Sequence, residues 1–263
     1  YLVRRLSGGG AVFHDLGNLN FTFIVRKPDY DVDRQLQVIL EAVRRLGIQA
    51  EKTGRNDITV EGRKFSGNAF YQTGDCCYHH GTLLVHADKE NMSRYLNVPR
   101  EKLASKGVSS VKSRVANLDE FCPGLTVDRV KAALAEAFSQ VYGQVAEKME
   151  EKELPEDAIG PLTQKFESWQ WKYGRKIPFE HEMEQRFAWG GIQMQFHVDG
   201  GRIQEVNVFS DAMDQEMIGN LAERLKGCPY DGNAMCEAVK EAGTEGGIRQ
   251  DRSEEHTSEL QSH

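Results

Sequence analysis

An α+β fold in two successive parts is what this sequence of 263 residues predicts. Three observations carry that expectation. Apolar residues alternate with other residues at Leu19, Phe21, Phe23 and Val25, and again at Ile192, Met194, Phe196 and Val198, as in a half-buried strand. Leu36, Ile39, Leu40, Val43 and Leu46, and later Val127, Val130, Leu134, Ala137, Phe138 and Val141, recur at the spacing of an amphipathic helix. The charged run from Glu147 to Asp157, broken further by Pro161, reads as a solvated linker over 147–161.

Taken in order, Tyr1-Leu2-Val3 reads as a strand that leads into three glycines. Pro28 to Asp31 stop the first alternating strand. Asp31 or Asp33 then caps a helix that Gly47 ends. Gly54-Arg55-Asn56-Asp57 is a polar turn, and Ile58-Thr59-Val60 with Arg63 to Ala69 form a hairpin about Glu61-Gly62. His79-His80-Gly81-Thr82 reads as a polar corner before a buried strand, Leu83-Leu84-Val85. Asp88 caps a short helix, and Thr126 caps a longer one that stops near Gly143. Beyond the linker, Asp199-Gly200-Gly201 turns one strand into the next, Ile203 to Phe209. Helices follow over about Asp214–Leu225 and Asn233–Ala242, so the second part is expected to hold two strands and two helices. The polar stretch 246–263 lacks the apolar content to order itself and is expected to be a disordered or non-native tail.

Composition narrows the function. The chain is 39% hydrophobic and 28% charged, with a net charge of -7, so the basic footprint of a nucleic-acid binder is absent. No apolar run reaches the ~18 residues of a membrane span. Five cysteines, Cys76, Cys77, Cys122, Cys228 and Cys236, show no CxxC pairing, which points to reduced thiols and a cytoplasmic setting.

The chemistry-bearing residues fall in short segments. Arg5-Leu6-Ser7-Gly8-Gly9-Gly10-Ala11-Val12-Phe13-His14-Asp15 offers bare backbone N–H groups beside an arginine pair, a combination that suits an anion but also a tight surface turn. Gly54-Arg55-Asn56-Asp57, Gly62-Arg63-Lys64-Phe65-Ser66-Gly67-Asn68-Ala69 and His79-His80-Gly81-Thr82-Leu83-Leu84 follow. Ser105-Lys106-Gly107-Val108 and Ser113-Arg114-Val115 complete the set.

In this order these segments closely resemble lipoate-protein ligases of the two-domain bacterial type, from Tyr1 to about Ala242. The resemblance implies a mixed-sheet catalytic domain of the biotin/lipoyl-ligase type over 1–146, then a small α+β accessory domain over 162–245. Members of that family carry a further segment ahead of the arginine pair, so this sequence is expected to lack it. The activity implied is ATP-dependent activation of lipoate to lipoyl-AMP with release of pyrophosphate. Transfer to a lysine of a lipoyl-acceptor domain follows, on 2-oxoacid dehydrogenase E2 subunits or the glycine-cleavage H protein.

Carried onto this sequence, the resemblance makes Lys64 the central catalytic and ligand-binding residue. It assigns ATP or adenylate contacts to Arg5, Gly10, Ala11, Val12 and Phe13, and a loop closing over the adenylate to Lys106 and Arg114. Joining two anions requires that both be neutralised and aligned, which suits a lysine ammonium. Asp57 is the expected Mg²⁺ carboxylate, with a turn-capping role as the other reading. His14 and His80 line the acyl pocket or are satisfied corner histidines. Val12, Phe21 and Leu83 offer an apolar slot for the acyl chain that sequence does not distinguish from core. A related transferase using a cysteine nucleophile without ATP, and a non-catalytic lipoate-binding module, are the alternatives.

Overall fold

The computed structural model describes residues 1–53, 57–96, 114–174, 176–187 and 189–242. The expected tail at 246–263 and Lys106 lie outside the described residues. The chain forms two compact units: Ala11–Glu153, and Tyr1–Gly10 together with the described residues from Leu154 on.

In the unit Ala11–Glu153, five strands make one sheet in the order β1-β5-β4-β3-β2. These are β1 (Asn18–Arg26), β2 (Glu51–Thr53), β3 (Asp57–Val60), β4 (Arg63–Thr73) and β5 (Cys76–Leu84). Every ladder is antiparallel, and Lys64 and Val115 add an isolated parallel bridge. The expected alternation appears in β1, where Leu19, Phe21, Phe23 and Val25 are half-buried and Asn20, Thr22 and Ile24 are exposed or nearly so. Glu61 and Gly62 turn the β3–β4 hairpin with φ of 49° and 71°. Two consecutive positive φ values match the right-handed twist of the flanking strands.

Two long helices pack together against this unit's core: α1 (Val32–Arg45), capped by the Asp31 carboxylate accepting from the Arg34 N–H, and α3 (Val127–Tyr142), capped by Thr126. The short α2 (Lys89–Tyr95) lies between them in sequence and is capped by Asp88. The core joins Leu36, Ile39 and Val43 of α1 to Ile58, Phe65, Leu83, Val85, Leu118 and Val130. Phe21 is partly buried against that core, and Leu83 is fully buried in it, which leaves Leu83 no surface to offer a ligand.

His79 and His80 lie within a strand rather than at a corner, because β5 begins at Cys76 and finds β1 and β4 as partners on both sides. Successive side chains of a strand point to opposite faces. His79 is therefore buried between Phe21, Phe23 and Phe70, while His80 faces the other way. Burial, and secondarily the neighbouring His80, push the His79 pKa down to about 4. A neutral imidazole has one donor and one acceptor. His79 Nε2 meets Asn68 Oδ1 at 2.8 Å and Nδ1 meets Gln35 Oε1 at 3.1 Å, while the Gln35 amide nitrogen makes no hydrogen bond. Turning the Gln35 amide over gives both imidazole nitrogens a matching partner: Gln35 donates to Nδ1, and Nε2–H donates to Asn68 Oδ1.

The residues on either side of 97–113 are anchored to one another. Asn117 accepts from the Ala87 N–H at 3.1 Å and donates to the Ala87 carbonyl at 2.9 Å. Burial works to raise the Glu120 pKa. Hydrogen bonds from Lys89, the Asn117 N–H and Arg63 outweigh it and hold the group down to about 2. Just after β5, His86 Nδ1 is paired with Asp119, and that hydrogen bond and charge, with Asp15 adding to them, raise its pKa above the ordinary histidine value. A raised folded-state value contributes stability that is complete below the unfolded pKa and is lost as pH rises through the folded one. Stability should therefore fall across that window, and His86→Gln should flatten the slope. An NMR titration placing His86 at or below a model histidine would contradict this.

The other unit carries a three-stranded antiparallel sheet, β6 (His181–Phe187), β7 (Gly190–Asp199) and β8 (Arg202–Ser210), in that order. The β6 strand is absent from the expected pair. Its residues are exposed on both faces except the half-buried Phe187, so no alternating apolar pattern marks it. Helices α6 (Gln215–Leu225) and α7 (Gly232–Ala242) follow β8, and Leu221 and Leu225 are buried in the cores they form with the sheet. Part of the expected linker is helical: α4 (Glu156–Glu167) contains Pro161, and α5 (Trp169–Tyr173) comes next. Proline removes one helical N–H bond, a loss that costs about 3 kcal/mol in a helix interior. Here the helix is exposed, so water can reach the carbonyl that the missing N–H leaves over.

Tyr1, Leu2 and Val3 are exposed and form no strand, since three apolar residues become one only when a partner backbone takes their hydrogen bonds. In this unit Trp171 Nε1 donates to the Arg4 carbonyl, and the Gly9 N–H donates to the Ala212 carbonyl at 3.3 Å.

Candidate active site

Residues directly opposite in an antiparallel ladder share a face. On the face of the Ala11–Glu153 sheet turned away from His79, Asn20 lies opposite Thr82, and Thr22 opposite His80, which in turn lies opposite Ala69. Gly67 lies opposite Asp57, and its N–H points to Thr82 Oγ1 at 3.4 Å. His14 joins the same row, with Nδ1 accepting from Asn18 Nδ2 at 2.6 Å, and Asn18 donating in turn to Asn20. Small and polar side chains thus line one continuous face, with two of the expected histidines on it.

Lys64 reaches this face through an irregularity. Residues three apart in a regular strand point to opposite sides. Between β3 and β4 the register shifts, with Ile58 opposite Ser66 but Thr59 opposite Lys64, so Phe65 is an extra residue. Such a bulge re-aims a side chain. It turns Phe65 into the core and lets Lys64 lie over Gly67, where a Cβ would stand 2.7 Å from Nζ. Glycine is the residue that leaves room for the ammonium.

The Lys64 Nζ is 2.6 Å from Asp57 Oδ1, and Arg114 Nη2 is 3.3 Å from Asp57 Oδ2. The three side chains are 25%, 13% and 20% exposed, so solvent screens them only in part. The Lys64 carbonyl also accepts from the Ala116 N–H at 2.9 Å, which ties the residues after Arg114 to the start of β4. Two cations gathered on one carboxylate form a local positive centre on a chain of negative net charge.

Asp57 was the expected magnesium carboxylate. Magnesium takes oxygen ligands at about 2.0–2.1 Å, usually one or two carboxylates with phosphates and water. Both Asp57 oxygens already face cations, and among the described residues no group of three His, Cys, Asp or Glu side chains could hold a metal. The donor set does not fit a resident magnesium ion.

The remaining expected residues separate. Phe13 packs with Leu84, Ala87, Met92 and Val115 and stacks on Tyr95, while Val12 is exposed. Arg5 and Gly10 belong to the other unit. There the Arg5 guanidinium donates to the Gly8 carbonyl at 3.0 and 2.7 Å and to the Gly10 carbonyl at 2.9 Å. A Cβ on Gly8 would stand 1.9 Å from the Ala212 carbonyl oxygen. Close packing against Ala212 therefore explains part of the glycine run, and Gly9 directs its N–H to that carbonyl rather than leaving it open for an anion. Thr82, Asn18, Asn20 and Thr22 were not among the expected site residues, although the period of two along β1 and β5 could have placed them beside His80.

Comparison with known proteins shows the family. Residues 1–139 match the lipoyl protein ligase A/B catalytic domain, and residues 176–258 match the bacterial lipoate protein ligase C-terminus. Among solved structures, LipL1 of P. falciparum in complex with lipoate is 29% identical, with a TM-score of 0.76, over 91% of this chain and 71% of that one. A bipartite lipoate protein ligase from Thermoplasma acidophilum, studied with its E2 lipoyl domain, is 33% identical with a TM-score of 0.57, over 67% and 72% of the two chains. A lipoate-protein ligase A bound with ATP is 30% identical with a TM-score of 0.56, over 66% and 72%. No helix among the described residues is long and apolar enough to cross a membrane. The chain is a ligase of the lipoate-protein ligase family, with a catalytic domain of the lipoyl protein ligase A/B type and a bacterial lipoate protein ligase C-terminal domain.

Proposed function

We propose that this ligase activates lipoate with ATP and transfers the lipoyl group to a lysine of a lipoyl-acceptor domain. The observation that carries the reading is the Lys64 ammonium held over Gly67, on the polar face that also bears Thr82, His80 and His14. The lipoate carboxylate attacks the α-phosphate of ATP, giving lipoyl-AMP and pyrophosphate. The amine of the acceptor lysine then attacks the acyl carbon, forming the amide, and AMP leaves. Both steps concentrate negative charge at one place, and a fixed ammonium stabilises charge as it develops. Lipoate-bound and ATP-bound relatives support both substrates, and a relative studied with its E2 lipoyl domain supports such acceptors.

In this reading His14 and His80 flank the acyl chain beside Ala69 and Thr22. Ala11, Val12 and Phe13 serve the nucleotide, and Arg114 serves the adenylate. Magnesium arrives on the phosphates of the nucleotide rather than in a protein cage. The thiol-based alternative is poorly placed. Cys76 lies opposite Thr73, six residues along β4 from Gly67, which is about 20 Å at ~3.3 Å per residue. Cys77 is buried on the opposite face.

Pyrophosphate release decides the matter. Lipoate-dependent release from ATP, followed by lipoylation of an E2 lipoyl domain or an H protein, is the expected result. Acyl transfer from octanoyl-carrier protein with no lipoate-dependent release would overturn it.

A further inference from the structure

We infer that Asp57 is a positioning residue that aims the Lys64 ammonium, rather than a ligand of magnesium. The inference rests on Lys64 being the reacting ammonium, as proposed above. A lysine head is a compact charge on a flexible stem, and it needs an anchor to be held in one geometry. Three features of the hairpin supply one. The bulge at Phe65 turns Lys64 to the open face, Gly67 clears the space over which it lies, and Asp57, directly opposite Gly67, accepts it at 2.6 Å. The second oxygen of Asp57 faces Arg114. A divalent ion at ~2.0–2.1 Å from either oxygen would stand against a cation that the fold has already placed there. Arg114 follows directly on the stretch 97–113, so the same carboxylate links the start of β4 to the residues after that stretch.

Asp57→Asn and Asp57→Glu test the inference. In Asp57→Asn, kcat for pyrophosphate release should fall on the order of 10²-fold, as for a misplaced reacting group, with the half-saturating Mg²⁺ concentration unchanged. Asp57→Glu, which keeps the carboxylate, should recover part of the loss. A readout independent of turnover is the acetylation of Lys64 by acetic anhydride at fixed pH, measured by mass spectrometry against the other lysines. Released from its carboxylate, Lys64 should label several-fold faster in Asp57→Asn, in protein whose circular dichroism matches the parent. A raised Mg²⁺ requirement with unchanged Lys64 labelling would overturn the inference, and so would unchanged kcat and labelling together. If the parent releases no pyrophosphate at all, the ligase reading fails by itself, and the labelling comparison still decides whether Asp57 holds Lys64.

Discussion

Lys64→Ala should lower lipoate-dependent pyrophosphate release by roughly 10²–10³-fold while leaving the fold in place. The ammonium lies on the open face of the sheet and fills no core position, so its loss opens no cavity among the residues that hold the unit together. Asp57 is not abandoned either, because Arg114 still faces its second oxygen. Stability and rate should therefore separate cleanly. Lys64→Arg keeps the charge but not the shape, since a planar guanidinium is broader than the ammonium that lies 2.7 Å from where a Gly67 Cβ would be. It should rescue little. A Lys64→Ala protein that retains more than about a tenth of the parent rate, with an unchanged melting curve, would remove Lys64 from the chemistry.

Gly17→Ala should destabilise the Ala11–Glu153 unit by about 3 kcal/mol or more, through overpacking and lost hydrogen bonds. A Cβ at Gly17 would stand 1.9 Å from the His86 carbonyl oxygen, 2.3 Å from its carbon and 2.8 Å from the Ala87 nitrogen. All three are backbone atoms and cannot swing aside. Separating the two segments breaks the hydrogen bonds from Val85 and His86 to the Gly17 carbonyl, at 3.0 and 2.8 Å. It also strains the Asp15 carboxylate, which accepts from the Gly17 and Asp88 N–H groups at 2.9 and 2.7 Å. The expected readout is a melting temperature lower by several degrees. Gly160→Ala is the control, because nothing lies within 4 Å of a Cβ on that exposed helix. Equal melting curves for the two variants would show that the junction between Gly17 and His86 yields more easily than its geometry says.

Much of this molecule is readable from local pattern. Asp31, Asp88, Thr126 and Asp214 cap helices through hydrogen bonds that depend only on residues two or three positions away. The β3–β4 and β7–β8 hairpins turn where the sequence places them. Where the pattern fails, the deciding partner is distant. The exposed β6 carries no apolar alternation and exists because β7 pairs with it. A run such as Tyr1-Leu2-Val3, strand-like in composition, finds no such partner among the described residues.

The candidate site divides in the same way. Residue types and their order marked Lys64, Asp57, His14 and His80, all of which lie within the span 1–139 that matches the family's catalytic domain. Nothing in the one-dimensional spacing says that Asp57 and Lys64 meet, since the bulge at Phe65 that brings them together is a property of paired strands. Nor does it say which of two adjacent histidines is buried. The period of two sends His79 and His80 to opposite faces, but only the packing of α1, with Gln35 against His79, decides which face becomes core. The glycines divide likewise. Their lack of a Cβ is written in the chain, whereas the atoms that need the space, the Ala212 carbonyl at Gly8, the His86 carbonyl at Gly17 and the Lys64 ammonium at Gly67, are supplied by the fold. By itself the sequence determined the local elements and the chemical inventory, because caps, turns and periodicity act between near neighbours. The tertiary structure decided which of those groups meet, because close approach between residues distant along the chain depends on register and packing.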